Sequence, residues 1–467
     1  MHEARAARER RSGQCRISFV ALLTAKRFHR LMAFCAGTGE MHVVTTRWNW
    51  NRWATLGTTA FLGAVGWSHV AGADAVTDWH QIATDTLCSG PTTPPRFGPV
   101  SGMLDLAIVQ IAVHDAVQSI SGKYKPYVGA IPDAKGSPEA ATAKAAHDVL
   151  VAFYGPKAGE IGTIYKAYLT SKGLKEDDPG VAVGAKAAAA AIALRADDGR
   201  IVAAAPVSYV GGTGMGAWRP TDPHKEMAGP HSGKFKGFVI KDGTQFRPGP
   251  PPDLKSEQYA KDYNEVKAVG AKDNSTRTPE QTELANFWRS DYLCRTFQQV
   301  PQNVVKAHSK SLDDSARAMA LAYMAVSDTL ITAWESKVHY NFWRPITAIH
   351  NGENDGNPAT AGDPNWQPFL VTPPYSDYLS GANSFGGAFS RTLSLALGKD
   401  DLPFTVTTTA PEAQQKTRNY NKLSDWATDI VNVRIYQGIH FRTADQTTRE
   451  VGEKIADLVF KEVATPK

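Results

Sequence analysis

From residue 104 to residue 120 the apolar positions recur at spacings of three and four on nearly every side, the pattern of a helix buried all round. Residues 137–154 and 181–198 read as helices too, the second through the run from Ala187 to Ala191. Alanine-rich helices pack closely and need no function to explain them. Between residues 203 and 254 the texture turns to glycine and proline, including Gly211, Gly212, Gly214 and the run from Pro248 to Pro252, which marks a non-helical excursion. Its glycines lack the preceding strand and the following Gly-Lys-Ser/Thr of a phosphate cradle, so they read as a loop. Helical periodicity returns over 256–269, 279–287, 311–337, 382–397, 411–436 and 444–462, with Thr278 and Pro279 supplying a cap and first turn. Alternating strands are few and no segment repeats, so the expected fold class is all-α, a set of packed helical bundles.

Composition narrows the class without choosing a function. Apolar residues at 42% and charged residues at 21% are ordinary globular usage, which excludes a disordered or collagen-like polymer. A net charge of +5 without a clustered basic face excludes a nucleic-acid reading. Residues 1–40 are rich in arginine and lack an apolar face. Met41 then opens an export-signal layout: Arg47 and Arg52, an apolar stretch over 53–67 too short for a bilayer span, and the small residues Val70, Ala71, Gly72 and Ala73. The expectation is translation from Met41, cleavage near Asp74, a secreted or periplasmic mature protein and no stable membrane span. A retained anchoring helix is the alternative. The division that follows is an extension with signal peptide over 1–73, an N-terminal helical region over 74–202, a Gly/Pro-rich loop with linking helices over 203–310, and a C-terminal helical bundle over 311–467. Of the four cysteines, Cys88 and Cys294 remain after cleavage. A bridge between them would stabilise by about 4–5 kcal/mol in the chain-entropy view, and two buried thiols are an equal alternative.

Three short segments near the C-terminus concentrate the unusual polar groups. Lys337 and Arg344 are about two helical turns apart, which returns them to one face if the helix continues, with Pro345 limiting it. Ser380 and Gly381 open an apolar helix, where a hydroxyl and free N–H groups favour negative charge. Arg434 closes another helix, and the chain rounds Gly438 to present His440. Singly, each feature has a plain structural reading: a solvated lysine, a capping arginine, a capping serine. Together they make a cationic, donor-rich set suited to a multiply charged oxyanion.

These segments resemble the Lys-x6-Arg-Pro, Pro-Ser-Gly-His and Arg-x5-His signature shared by vanadium-dependent haloperoxidases and the type 2 phosphatidic acid phosphatase superfamily. Residues 105–120, Trp218 to Thr221, Gln245 to Pro251, Asn264 to Lys267 and Thr278 to Glu283 look like the bacterial haloperoxidase branch, so the resemblance spans nearly all of the mature chain. It implies the helical-bundle fold of that superfamily, with vanadate as cofactor and hydrogen peroxide and halide as partners. It also implies that His440 bonds vanadium or attacks phosphorus, that Lys337, Arg344 and Arg434 neutralise oxygens, and that Ser380 and the Gly381 N–H donate hydrogen bonds. A homodimer is the default for a large helical enzyme.

One position departs from the signature. Where the family has histidine this chain has Ala382, which removes an acid–base group worth about 10²–10⁴-fold where proton transfer limits the rate. His339, His350, Asp377 and Asn383 lie nearest in sequence. His339 points off the lysine face, and Asp377 and Asn383 read first as turn and cap residues. Three functions stay open: a haloperoxidase with altered activity, a phosphatase forming a phosphohistidine on a phosphate ester, and a non-catalytic phosphate or vanadate binder. Trp343, Phe385 and Phe441 are candidate pocket-lining residues by proximity, with core packing their plainer role.

Overall fold

Helix α2 (Pro99–Ser121) is apolar on all sides because it runs through the centre of the N-terminal half. Its length and composition would suffice to cross a membrane, yet 94% of its apolar window is buried inside the protein. The computed structural model describes residues 74–89, 99–201, 208–289 and 295–467. The export signal and Cys294 therefore lie outside the described residues. Around α2 pack α1 (Ala75–Cys88), α3 (Pro138–Phe153) and α5 (Pro179–Leu194), with α4 (Ala158–Lys172) against α3. The small residues set the spacing between α3 and α5. A Cβ on Gly184 would stand 2.3 Å from the Ala141 carbonyl oxygen, so the two backbones touch only because that side chain is absent.

The polar groups of α2 are spent on structure. Asp115 accepts from the N–H groups of Tyr127 at 2.6 Å and Val128 at 2.7 Å. Asp105 pairs with Arg200 at 2.8 Å. His114 meets the Lys125 carbonyl at 3.2 Å, the packing role expected for it, and burial pushes its pKa down to about 4.

The excursion is non-helical over most of its length, as its glycines and prolines require. It is pinned to the next long helix by Asp328, whose carboxylate accepts from the N–H groups of Phe238, Val239 and Ile240 at 2.7, 2.8 and 3.1 Å. Helices α6 (Glu257–Val269) and α7 (Pro279–Phe287) follow, capped by Ser256 and by a Thr278–Gln281 capping box. Then come α8 (Gln299–His308) and α9 (Leu312–Tyr340). The last is the axis of the fold, with α2 against it on the N-terminal side and α11 (Gly381–Leu397) and α13 (Arg442–Glu462) against it from the C-terminal bundle.

Two expectations are corrected. Helix α9 stops at Tyr340, where Asn341 takes a left-handed conformation (φ 46°), so Lys337 and Arg344 do not share a helix face. Arg344 instead precedes the short α10 (Pro345–His350). The helix expected over 411–436 begins only at Leu423, as α12 (Leu423–Tyr436). Before it runs a hairpin, β1 (Phe404–Thr407) paired antiparallel with β2 (Thr417–Tyr420). Threonine and valine at alternate positions of β1, and the stacked rings of Phe404 and Tyr420 at 5.3 Å, favour the pleated pairing over a helical turn.

Candidate functional site

Lys337 lies in the last turn of α9 and is wholly buried. Its ammonium donates to the carbonyls of Ser376 at 2.6 Å and Asp377 at 3.2 Å, and lies 4.8 Å from the Tyr375 ring centre. Burial, reinforced by the neighbouring Arg344, holds its pKa well below the usual lysine value. The turn at Asn341 carries the chain back so that Arg344, also fully buried, enters the same space. Its Nε donates to the Tyr375 carbonyl at 2.7 Å. Its Nη1 donates to the Ile439 carbonyl at 2.5 Å and lies 2.9 Å from His440 Nε2. Nη2 makes no hydrogen bond.

The middle segment lies between them. Ser380 sits at the N-cap of α11, but its side chain does not cap the helix and its hydroxyl has no well-oriented hydrogen bond. Its N–H donates to Thr448 Oγ1 at 2.7 Å. Gly381 follows with the Trp334 ring 3.3 Å from where a Cβ would be, so the helix start presses flat on that indole. Ala382 is buried, and beyond it Asn383 donates to Asp445 Oδ1 at 2.8 Å.

The third segment reaches the cluster from α12. Arg434 donates to Gln437 Oε1 at 2.5 Å, and Gln437 is anchored in turn on the Ala285 carbonyl at 2.9 Å. Gly438 makes the turn with φ 77°, its Cα packed so that a Cβ would lie 2.3 Å from the Gly270 carbonyl oxygen. His440 then arrives with Nε2 toward Arg344 and Nδ1 2.8 Å from Asp377 Oδ1. That second pair is at contact distance without hydrogen-bond alignment. Burial, followed by the charges of Arg344, Lys337 and Arg434, holds His440 well below the ordinary imidazole pKa.

All six residues expected at the site, Lys337, Arg344, Ser380, Gly381, Arg434 and His440, are thus buried in one region built from α9, α11 and the α12–α13 turn. Two carboxylates join them that the sequence reading assigned to turns or did not single out. Asp377 touches His440 and lies 3.7 Å from Arg344 Nη1, and burial raises its pKa well above the usual carboxylate range. Asp445, held by Asn383, is pushed by burial up to about 7. Asp377 could have been noticed as an acid three positions before Ser380. Asp445 carried no local signal.

Other candidates are engaged elsewhere. His339 contacts Arg247 and the Tyr340 ring, and His350 meets the Trp366 carbonyl at 2.7 Å. Phe385 stacks edge-on against Phe297 and Phe389, and Phe441 packs on Tyr259 and Phe342, which is core packing. Among the described residues no group of three or more His, Cys, Asp or Glu could hold a metal cation. A groove of about 800 Å³ along α11 and α13 is lined by Arg391, Asp400, Glu453 and Asp457, but by none of the cluster residues. Two ion pairs cross it, Arg391 with Asp457 at 2.7 Å and Arg449 with Glu453 at 2.9 Å.

Comparison with known proteins points the same way. Residues 317–466 match the family described as the VCPO second helical-bundle domain. A curated relative, vanadium chloroperoxidase of Curvularia inaequalis, is 26% identical over 36% of this chain, and the match spans 32% of that relative's length. Among solved structures, a bacterial vanadium-dependent iodoperoxidase superposes with a TM-score of 0.69 at 20% identity, covering 84% of this chain and 97% of its own. A holo-type bacterial vanadium-dependent chloroperoxidase gives 0.61 at 18% identity, covering 78% and 92%. At these identities the structural likeness is one of fold.

Proposed function

We propose that this relative of the vanadium-dependent haloperoxidases is an exported enzyme of the peroxidase class, oxidising halide with hydrogen peroxide at a vanadate held by His440. The observation that carries the reading is the approach of Arg344 Nη1 to His440 Nε2 at 2.9 Å with Lys337 and Arg434 buried beside them. Two guanidiniums, Arg344 and Arg434, and the Lys337 amine, whose charge burial opposes, stand against Asp377 and Asp445, both of which burial drives toward the neutral form. The cluster therefore carries excess positive charge away from water, a costly state that an anionic guest relieves. Arg344 Nη2 is buried without a hydrogen-bond partner, and such an orphan donor costs about 1–3 kcal/mol until something accepts from it.

These groups fit vanadate. Lys337, Arg344 and Arg434 would neutralise its oxygens, Ser380 and the Gly381 N–H would donate to them, and His440 Nε2 would be the metal ligand. Bound vanadate supplies a Lewis-acidic centre that polarises peroxide for attack by halide. The chain itself contributes a fixed array of donors aimed at the oxyanion and the exclusion of water from it. Phosphate is complemented by the same array. Phosphomonoester hydrolysis is nevertheless less supported, because an alkoxide leaves poorly without a proton and Ala382 offers none. Export is supported by the signal-like pattern over residues 41–73.

The test is to load purified protein with orthovanadate, measure bound vanadium, and follow bromination or iodination of an organic acceptor with peroxide. Vanadium at one per chain, with halide oxidation that needs it and is lost in His440→Ala, is the expected result. Failure to bind vanadate would end this reading.

A further inference from the structure

The tautomer of His440 can be read from its neighbours. A guanidinium has only donors, so the 2.9 Å contact from Arg344 Nη1 makes Nε2 an acceptor. A ring that accepts at Nε2 is neutral and carries its proton on Nδ1. That nitrogen lies 2.8 Å from Asp377 Oδ1, at contact distance but short of hydrogen-bond alignment, and neither atom has another well-aligned partner. Asp377 is itself fixed. Its N–H donates to the Phe342 carbonyl at 2.9 Å, its carbonyl receives Lys337 at 3.2 Å, and its side chain is fully buried. The segment that brings Ser380 to the site thus also brings a carboxylate to the far side of the imidazole.

We infer that Asp377 is the positioning residue for His440: a small adjustment of the 2.8 Å contact lets its carboxyl oxygen accept a hydrogen bond from Nδ1–H, which holds the ring with Nε2 turned to Arg344 and the oxyanion. A carboxylate behind a ligand histidine orients the ring and raises its basicity, and losing such a partner typically costs about 10–100-fold in affinity. The part of this inference that concerns affinity rests on the vanadate reading above; the part that concerns the tautomer does not. Asp377 touches His440 and also lies 3.7 Å from Arg344 Nη1, so the tautomer is the readout that isolates its effect on the imidazole.

Two measurements on the full chain test it. The first is the ¹⁵N spectrum of histidine-labelled, vanadate-free protein, with His440→Gln assigning the resonance. The expected result is a proton on Nδ1 in the wild type and a mixture of tautomers in Asp377→Ala. A wild-type proton on Nε2, or an Nδ1 preference that persists in Asp377→Ala, overturns the inference. The second is equilibrium dialysis against orthovanadate, where Asp377→Ala is expected to bind about 10–100-fold more weakly and Asp377→Asn, which keeps an acceptor oxygen, to recover part of the loss. Equal affinity in wild type and Asp377→Ala overturns it. Should Asp377→Ala give no cooperative melt, Asp377→Asn decides, with weakened binding in support and unchanged binding against. If the wild type binds no vanadate, the functional reading falls, and the tautomer comparison still decides the role of Asp377.

Discussion

Asn383 Nδ2 donates to Asp445 Oδ1 at 2.8 Å and so ties the first turn of α11 to the first turn of α13, one residue past Ala382. The amide that stands nearest the place of the missing imidazole is therefore committed to a buried carboxyl, with the Ile430 carbonyl at 3.4 Å as its second partner. Asn383 holds the bundle together at the site and does not stand in for an acid–base group. Asp445, driven up to about 7 by burial against the pull of Ser380, Arg434 and Asn383, is a carboxyl able to hold a proton near neutral pH.

Restoring the imidazole tests what that absence costs. Ala382 is 3% exposed, so Ala382→His must displace neighbours, and overpacking of that kind costs about 1–3 kcal/mol of stability. If proton transfer limits turnover, the vanadate-loaded variant should oxidise halide faster by a factor within about 10²–10⁴. Initial rates at saturating peroxide, beside a melting curve showing that the variant folds, check this. A folded, vanadate-loaded Ala382→His with wild-type rate would show that a different step is limiting.

What could be read from the chain was what depends on near neighbours. The cap expected at Thr278 accepts from the Gln281 N–H three residues on, and Ser137, Ser256 and Ser311, not singled out in the sequence, cap their helices in the same way. The three polar segments were visible because lysine, arginine and histidine stand out among buried helices. The route by which they meet was not. Whether Arg344 continues α9 or leaves it turns on one left-handed residue, Asn341, and a helical continuation has the same local composition. The hairpin ahead of α12 was hidden because its strands are short and half polar, and it is held partly by distant groups such as Gln299, which donates to the Thr407 carbonyl at 2.9 Å. Asp377 looked like a turn residue because its partner His440 lies in another segment altogether, and only the fold brings the two together.

Arg344 joins the second and third segments, so its loss should be read in binding before activity. A ligand that binds only the folded protein at about a hundred times its Kd raises stability by about 2.7 kcal/mol. Vanadate, and phosphate in its place, should therefore raise the wild-type melting temperature in a concentration-dependent way. Arg344→Lys keeps a charge but loses the fork that spans Tyr375, Ile439 and His440, and charge-assisted bonds of this kind contribute about 1.5–3 kcal/mol each. The anion-induced shift should shrink to a small fraction of the wild-type value. An undiminished shift in Arg344→Lys would place the anion elsewhere.

His114 makes the acid side of the stability curve testable far from the site. Burial lowers its pKa in the folded chain to about 4 from 6.5, so between those values the unfolded chain binds the proton and the folded chain resists it. The sign follows: this contribution is fully present above pH 6.5, is lost as pH falls from 6.5 toward 4, and changes no further below that. His80, lowered to about 4 by burial, acts in the same direction, whereas Asp115, raised to about 7 by burial, acts in the opposite one. The wild-type profile is therefore a mixture, and the difference between two proteins isolates the histidine. His114→Gln keeps a donor for the Lys125 carbonyl but cannot titrate. Between pH 6.5 and 4 it should lose less stability than the wild type, by up to about 1.4 kcal/mol per pH unit, as measured by urea unfolding at several pH values. Parallel pH profiles for the two proteins would mean that His114 titrates alike in both states, and that its burial carries no pH-dependent cost.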